Sequence, residues 1–195
     1  MSDTLHYYNQ NAQAFVKSTR DVDFYKTQIR FLDRLLPHSY ILDFGCGSGR
    51  DTRYFLSQGY LVDAVDGSKE ICKLASAYTG IQIQQMLFQE LAAENLYDGI
   101  WACSSILHLS YQELKMVLIK MANALKADGI VYTSFKYGNF EGERNGRYFT
   151  DMTEESLQRL LREIQTFQLE ETWVTADVRP GRGDERWLNI LLKKI

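Results

Sequence analysis

Apolar positions in the first part of the chain fall at helical intervals. Leu5, Tyr8, Ala12, Phe15 and Val16 mark one face of a helix over 3–18. Val22, Tyr25, Ile29, Leu32 and Leu36 mark a second over 22–36, which Pro37 ends. The pattern then shortens. Tyr40–Phe44 is a compact apolar run of strand length, followed by Gly45-Cys46-Gly47-Ser48-Gly49 and by a helical stretch from Arg50 to Gln58 that Gly59 stops. Strand and helix keep alternating: a strand at Tyr60–Val65, a helix capped by Ser68 and running to Tyr78, strands at Ile81–Gln84 and Tyr97–Cys103, a helix over Tyr111–Leu125, a turn at Lys126–Gly129 and a strand at Ile130–Phe135. A helix capped by Thr153 then reaches Ile164, and strand segments at 167–176 and 186–194 close the chain with no helix between them.

Such alternation predicts an α/β fold, a Rossmann-like, doubly wound, mostly parallel seven-stranded sheet with helices on both faces. The last two strands lack a crossover helix, which predicts an antiparallel C-terminal edge. A chain of 195 residues suits one domain over 1–195. Within it, 1–37 reads as N-terminal cap helices, 38–136 as the ligand-binding core and 137–195 as the substrate-side segment that completes the sheet.

Charge trims the partners. Lys plus Arg number 22 against 25 Asp plus Glu, so the basic surplus that holds a long nucleic acid is missing. Cys46, Cys72 and Cys103 form no CxxC pair, which argues against a disulfide framework or a zinc site, and no metal site is expected. No apolar run approaches the roughly 18 residues of a membrane span. The polar stretch 1–13 has no signal-peptide core, and the expectation is a soluble cytoplasmic protein.

The glycine loop carries the chemistry. Between a strand and a helix it aims N–H groups at a ligand and lets that ligand approach the backbone closely. Arg50 stands at the sixth position, where a dinucleotide fingerprint needs Gly or Ala, and this counts against NAD or FAD. A Gly-Lys-Ser/Thr ending is absent, so the loop is not a Walker loop.

Ile41–Gly49 resembles the first motif of class I S-adenosylmethionine-dependent methyltransferases. The resemblance continues through Asp66, 17 positions after Gly49, through Tyr97–Cys103 as the fourth-strand motif and through Leu125–Ile130 as the turn before the fifth strand. It covers 38–136, and Tyr7–Ala12 is similar to the cap helix that folds over the cofactor in such enzymes. Within the family the chain looks most like small bacterial enzymes related to tellurite-resistance methyltransferases. The resemblance implies S-adenosylmethionine as donor and S-adenosylhomocysteine as product. It places Asp43, Gly45, Cys46, Gly47, Gly49 and Arg50 around the donor, with Asp66 accepting both ribose hydroxyls beside Gly67 and Ser68. It adds Met86 and Phe88 near the adenine, Cys103 and Ser104 after the fourth strand, and Tyr8 and Asn11 from the cap helix. After the third strand the acidic contact to the adenine amino group is either missing or replaced by Gln85 or a backbone group. Asp66 also reads as a turn or capping Asp before Gly67.

Enzymes that methylate exocyclic base amines resemble one another in an Asn/Asp-Pro-Pro-Tyr/Phe motif, which Ala102–Ser105 lacks. A small-molecule acceptor is left. His108 reads either as a general base or as a loop histidine bonded to a carbonyl. Lys136 and Tyr137 leave the fifth strand at the ligand-binding edge, and Tyr137 joins His108 as a catalytic candidate. Arg144, Arg147, Arg179, Arg182 and Arg186 suit an anionic acceptor, or else pair with the adjacent Glu143, Asp177, Asp184 and Glu185. Trp173 and Trp187 read as strand-packing residues, and Cys46 as a small filler. Two other readings stand beside transfer to a small molecule: a non-catalytic sensor or partner subunit that holds the donor, and a protein or tRNA methyltransferase.

Overall fold

The structure, a computed structural model, describes residues 3–179 and 181–195. Two helices, α1 (Asp3–Thr19) and α2 (Tyr25–Leu32), lead into β1 (Tyr40–Phe44), α3 (Arg50–Ser57), β2 (Leu61–Asp66), α4 (Lys69–Thr79) and β3 (Gln84–Gln85). Next come β4 (Tyr97–Ala102), α5 (Tyr111–Ala124), β5 (Leu125–Lys136), β6 (Glu141–Arg144), β7 (Arg147–Thr150), α6 (Glu154–Ile164), β8 (Phe167–Ala176) and β9 (Arg186–Lys194). Seven strands form one sheet in the order β3-β2-β1-β4-β5-β9-β8. The first five run parallel. The C-terminal strand β9 runs antiparallel, inserted between β5 and the edge strand β8.

Alternation along each central strand divides the core. Leu42, Phe44, Ile100 and Val131 face α5 and α6, whereas Ile41, Trp101, Ile130 and Tyr132 face α2 and α3. On the second face Trp101 stacks on Tyr132 at 4.0 Å and meets Phe31 and Phe55 at 5.2 Å each. Helix starts follow the expected caps: Ser68 Oγ accepts from Ile71 N, and Thr153 Oγ1 accepts from Ser156 N.

Four local expectations need correction. The second helix is shorter than 22–36, because an Asp23 carboxylate oxygen accepts from Tyr25 N at its start, and Leu36 is exposed and contributes no burial. The third strand is displaced to Gln84–Gln85, and Ile83 instead packs under α4 with Cys72 and Ala75. The turn at Lys126–Gly129 is a bulge within β5. Pairing passes from Tyr97↔Leu125 to Gly99↔Ile130, and Asp128 adopts a φ of 60°. Finally, 142–149 contributes a hairpin, β6–β7, that the apolar pattern did not announce.

The chain reverses direction across the sheet between β1 and β4. The C-terminal ends of these strands therefore splay their connections apart and leave a crevice. Among the described residues no helix is long and apolar enough to cross a membrane.

Gly99 in β4 lets α2 seat on the sheet: a Cβ there would lie 2.7 Å from Phe31 Cζ and 2.9 Å from Leu35 Cδ1. Gly99→Ala is expected to destabilise by about 1–3 kcal/mol through overpacking, read as a lower urea midpoint with an unchanged m-value.

Candidate active site

A cavity of about 600 Å³ occupies this crevice, roofed by α1 and flanked by the β6–β7 hairpin and the β8–β9 connection. One end is built by the glycine loop. Gly45 turns with φ 86°, and a Cβ there would sit 2.5 Å from Ser105 Cβ, so only glycine fits. Gly45 N and Cys46 N both donate to Val65 O at 2.9 Å, which hangs the loop on β2. Asp66 Oδ2 accepts from Gly47 N at 3.1 Å and Oδ1 accepts from Ser68 N at 2.9 Å. Each oxygen therefore keeps acceptor capacity for a second donor. Burial pushes the Asp66 carboxyl up to about 6, against the pull of those two N–H groups. Asp66 is thus both the turn residue ahead of α4 and a wall of the cavity.

Beneath the loop lies a polar cluster that the sequence did not reveal. Asp51, 6% exposed, accepts from Gln28 Nε2 at 2.7 Å, Arg50 Nε and Nη2 at 2.8 Å each, and Trp101 Nε1 at 2.9 Å. Against the cost of burial, Arg50 and these donors hold Asp51 below the usual carboxylate range. Asp43, 2% exposed, accepts from Thr52 Oγ1 at 2.5 Å, and burial beside Asp51 pushes it up to about 8. The Cys46 thiol is driven well up by burial, as befits an inert filler.

At the other end His108 bridges two elements. Nδ1 lies 2.6 Å from the Tyr148 carbonyl, which only accepts, so Nδ1 carries the proton. Nε2 then accepts from Tyr8 Oη at 2.9 Å. Burial, reinforced by Arg147, lowers the imidazole to about 4 and keeps it neutral. His108 is therefore bonded to a backbone carbonyl and also lines the cavity. Around it, Lys136 and Arg182 share Glu185, Arg179 pairs with Asp177, which also accepts from Trp187 Nε1, and Arg144 pairs with Asp151.

Most of the expected site residues reach this cavity: Tyr8, the loop residues Gly45, Cys46, Gly47 and Arg50, then Asp66, Gly67, Met86, Phe88, Cys103 and Ser104, and the polar set His108, Lys136, Arg144, Arg147, Arg179 and Arg182. Five lie outside its walls. Asp43 is buried behind the loop, Gly49 caps α3 with φ 77°, and Ser68 caps α4 while donating to Asn9 Oδ1 at 2.7 Å. Asn11 Nδ2 donates to Tyr7 O, within α1. Tyr137 points away, 43% exposed, and donates to Glu154 at 2.8 Å. Strand parity explains the last: Lys136 faces inward, so its neighbour faces outward.

Residues 41–129 match the family described as a methyltransferase domain. A ubiquinone biosynthesis O-methyltransferase of Rickettsia typhi is 29% identical over 99 residues, which are 48% of this chain and only 39% of that curated relative's length. Among solved structures, the 1,6-didemethyltoxoflavin-N1-methyltransferase of Burkholderia thailandensis, with bound 1,6-didemethyltoxoflavin and S-adenosylhomocysteine, is similar over 97% of this chain and 84% of its own, with a TM-score of 0.77 and 24% identity. The magnesium protoporphyrin IX methyltransferase of Synechocystis PCC 6803, with bound S-adenosylhomocysteine, is similar over 97% of each chain, with a TM-score of 0.73 and 17% identity. At these identities the structural likeness establishes the Rossmann-like fold alone.

The imidazole of His108 is expected to titrate near 4 by NMR; a midpoint near the ordinary value of about 6.5 would show an open, hydrated ring. An unfolded histidine binds its proton first as pH falls. Stability should therefore drop as pH is lowered from about 6.5 towards 4, and His108→Gln should flatten that slope in urea unfolding.

Proposed function

We propose that this chain is a class I S-adenosylmethionine-dependent methyltransferase that works in the cytoplasm on a small anionic acceptor and releases S-adenosylhomocysteine. One observation carries the reading: a single cavity joins the strand–glycine loop–helix turn and the carboxylate of Asp66 to an arginine-rich wall. The narrower likeness to tellurite-resistance-related enzymes belongs to the same reading and rests on the sequence motifs alone. In this reading 1–37 roofs the site, 38–136 holds the donor and 137–195 shapes the acceptor end.

The residues present fit the donor. Asp66 has an acceptor site to spare on each oxygen, matching a ribose diol. Gly45 and Gly47 line the cavity, and their missing side chains let Ser105, Phe88 and Phe15 close up against the loop. Met86 and Phe88 supply apolar surface beside the loop, and the Tyr8 and Phe15 rings offer π faces to a cation. When bound, the sulfonium supplies the methyl carbon. The protein aligns the acceptor in line with it and excludes water. An acceptor that arrives with an open lone pair needs no base. One that carries a proton passes it to Tyr8 Oη as the Tyr8 proton moves to His108 Nε2, 2.9 Å away. The resulting imidazolium donates to the Tyr148 carbonyl.

Calorimetry with S-adenosylmethionine, S-adenosylhomocysteine and NADH separates the cofactor classes. The first two should bind and NADH should not, whereas binding of NADH alone would overturn the reading. Tight binding of the donor with no turnover across a metabolite panel would point to the sensor. A salt-dependent gel shift with cellular RNA would point to the macromolecular acceptor.

Asp66→Ala should weaken S-adenosylhomocysteine by more than about 1 kcal/mol, the scale of a charge-assisted hydrogen bond lost. Because the carboxylate is the form that accepts both hydroxyls, affinity should also fall as pH drops through about 6, by up to about tenfold per unit. A flat profile from pH 7.5 to 5 would contradict the assignment.

A further inference from the structure

We infer that Arg147 anchors an acceptor subsite built for a planar carboxylate carried on an aromatic ring. This rests on the methyltransferase reading for its meaning, but it is argued from charges and rings alone. Arg147 opens β7 after the tight turn Asn145-Gly146, both residues of which have positive φ, and this hairpin turn sets the strand beside the cavity. Its guanidinium lies 4.5 Å from the Tyr7 ring centroid and 5.2 Å from that of Phe149.

What distinguishes Arg147 is the lack of a carboxylate. The other cations at this end are matched: Glu185 serves Lys136 and Arg182, Asp151 serves Arg144, and Asp177 serves Arg179. Among the described residues Arg147 has no ion pair, and its Nε, like that of Arg144, is buried with no hydrogen-bond partner. Tyr8 Oη accepts one hydrogen bond from the guanidinium and ring faces ease its charge, but no carboxylate among the described residues neutralises it. A ligand carboxylate does so, and its two oxygens match the guanidinium fork.

The surroundings favour a flat body behind that carboxylate. His108 meets Phe149 at 4.8 Å and Tyr8 at 5.5 Å between ring centroids, so aromatic edges and faces line the space next to the fork. An anion on Arg147 also cancels the charge that helps keep His108 neutral. The imidazole beside a filled subsite therefore accepts a proton more readily than the one beside an empty subsite.

The test uses the protein saturated with S-adenosylhomocysteine, titrated separately with benzoate, benzamide and inorganic phosphate. Benzoate should bind at least tenfold more tightly than either of the others. Arg147→Gln should weaken benzoate at least tenfold while leaving S-adenosylhomocysteine within twofold, which also reports an intact fold. Arg147→Lys, with charge but no fork, should fall between. Absent benzoate binding, or benzoate binding indifferent to Arg147→Gln, overturns the subsite. Phosphate equal to benzoate overturns the aromatic carboxylate. Loss of S-adenosylhomocysteine in Arg147→Gln reassigns the residue to the carboxylate of the donor and likewise overturns the proposal. If S-adenosylhomocysteine binds to no form of the protein, the methyltransferase reading fails. Benzoate binding to the free protein that is lost in Arg147→Gln would still uphold the anion subsite.

Discussion

The carboxylate of Asp51 gathers four N–H donors from α2, α3 and β4 in a place with almost no water. Removing any one donor leaves a buried charge short of a partner, a cost of several kcal/mol, so these three elements are fixed relative to one another. The glycine loop springs from β1 directly above this cluster and ends in α3, whose first turn supplies Arg50, Asp51 and Thr52. Asp43 completes the foundation. Two carboxyls share one pocket, and their environments separate them: Asp51 keeps its charge on Arg50, while Asp43, pushed up to about 8, favours its proton. The loop therefore lines the cavity from a rigid base.

Arg50 shows how this foundation changes a residue's meaning. In the sequence it follows the last loop glycine and reads as a donor contact. In the fold its guanidinium is committed to Asp51 and lies 4.5 Å from the Phe24 ring, so it closes one corner of the cavity with its charge already spent. The charge that stays uncommitted lies across the cavity, on the β6–β7 hairpin. Polar recognition at one end and unpaired cation at the other give the cavity a direction.

Much of the sheet and half of the site were legible because they depend on short-range rules. The run from Ile41 to Asp66 shows a strand, a glycine turn and a helix in sequence, and the geometry of that turn follows from the residues alone. The Asp177 and Glu185 partners of the arginines stand within a few residues of them and were foreseeable. Asp51 was not: an acidic residue in the first turn of a helix is ordinary there, and its partners Gln28 and Trp101 come from distant parts of the chain. The hairpin was missed because four-residue strands bearing Glu and Arg show no apolar alternation. Tyr137 was misjudged by parity, since one step along β5 exchanges the cavity for the outer surface. That Arg147 has no carboxylate partner among the described residues appears only once Arg144 has claimed Asp151 in three dimensions.

Thr4, Tyr8 and Asn9 fasten α1 through side-chain oxygens, to Tyr148 N at 3.0 Å, to His108 Nε2 at 2.9 Å and to Ser68 Oγ at 2.7 Å. These anchors fall at both ends of the cavity, whereas the floor is held by strand pairing and the Asp51 cluster. Ala12 and Val16 also bury against Ile71 of α4, so apolar contact holds the roof as well as these bonds. One helix thus ties together two ends of the cavity that lie on opposite sides of the sheet's central crevice.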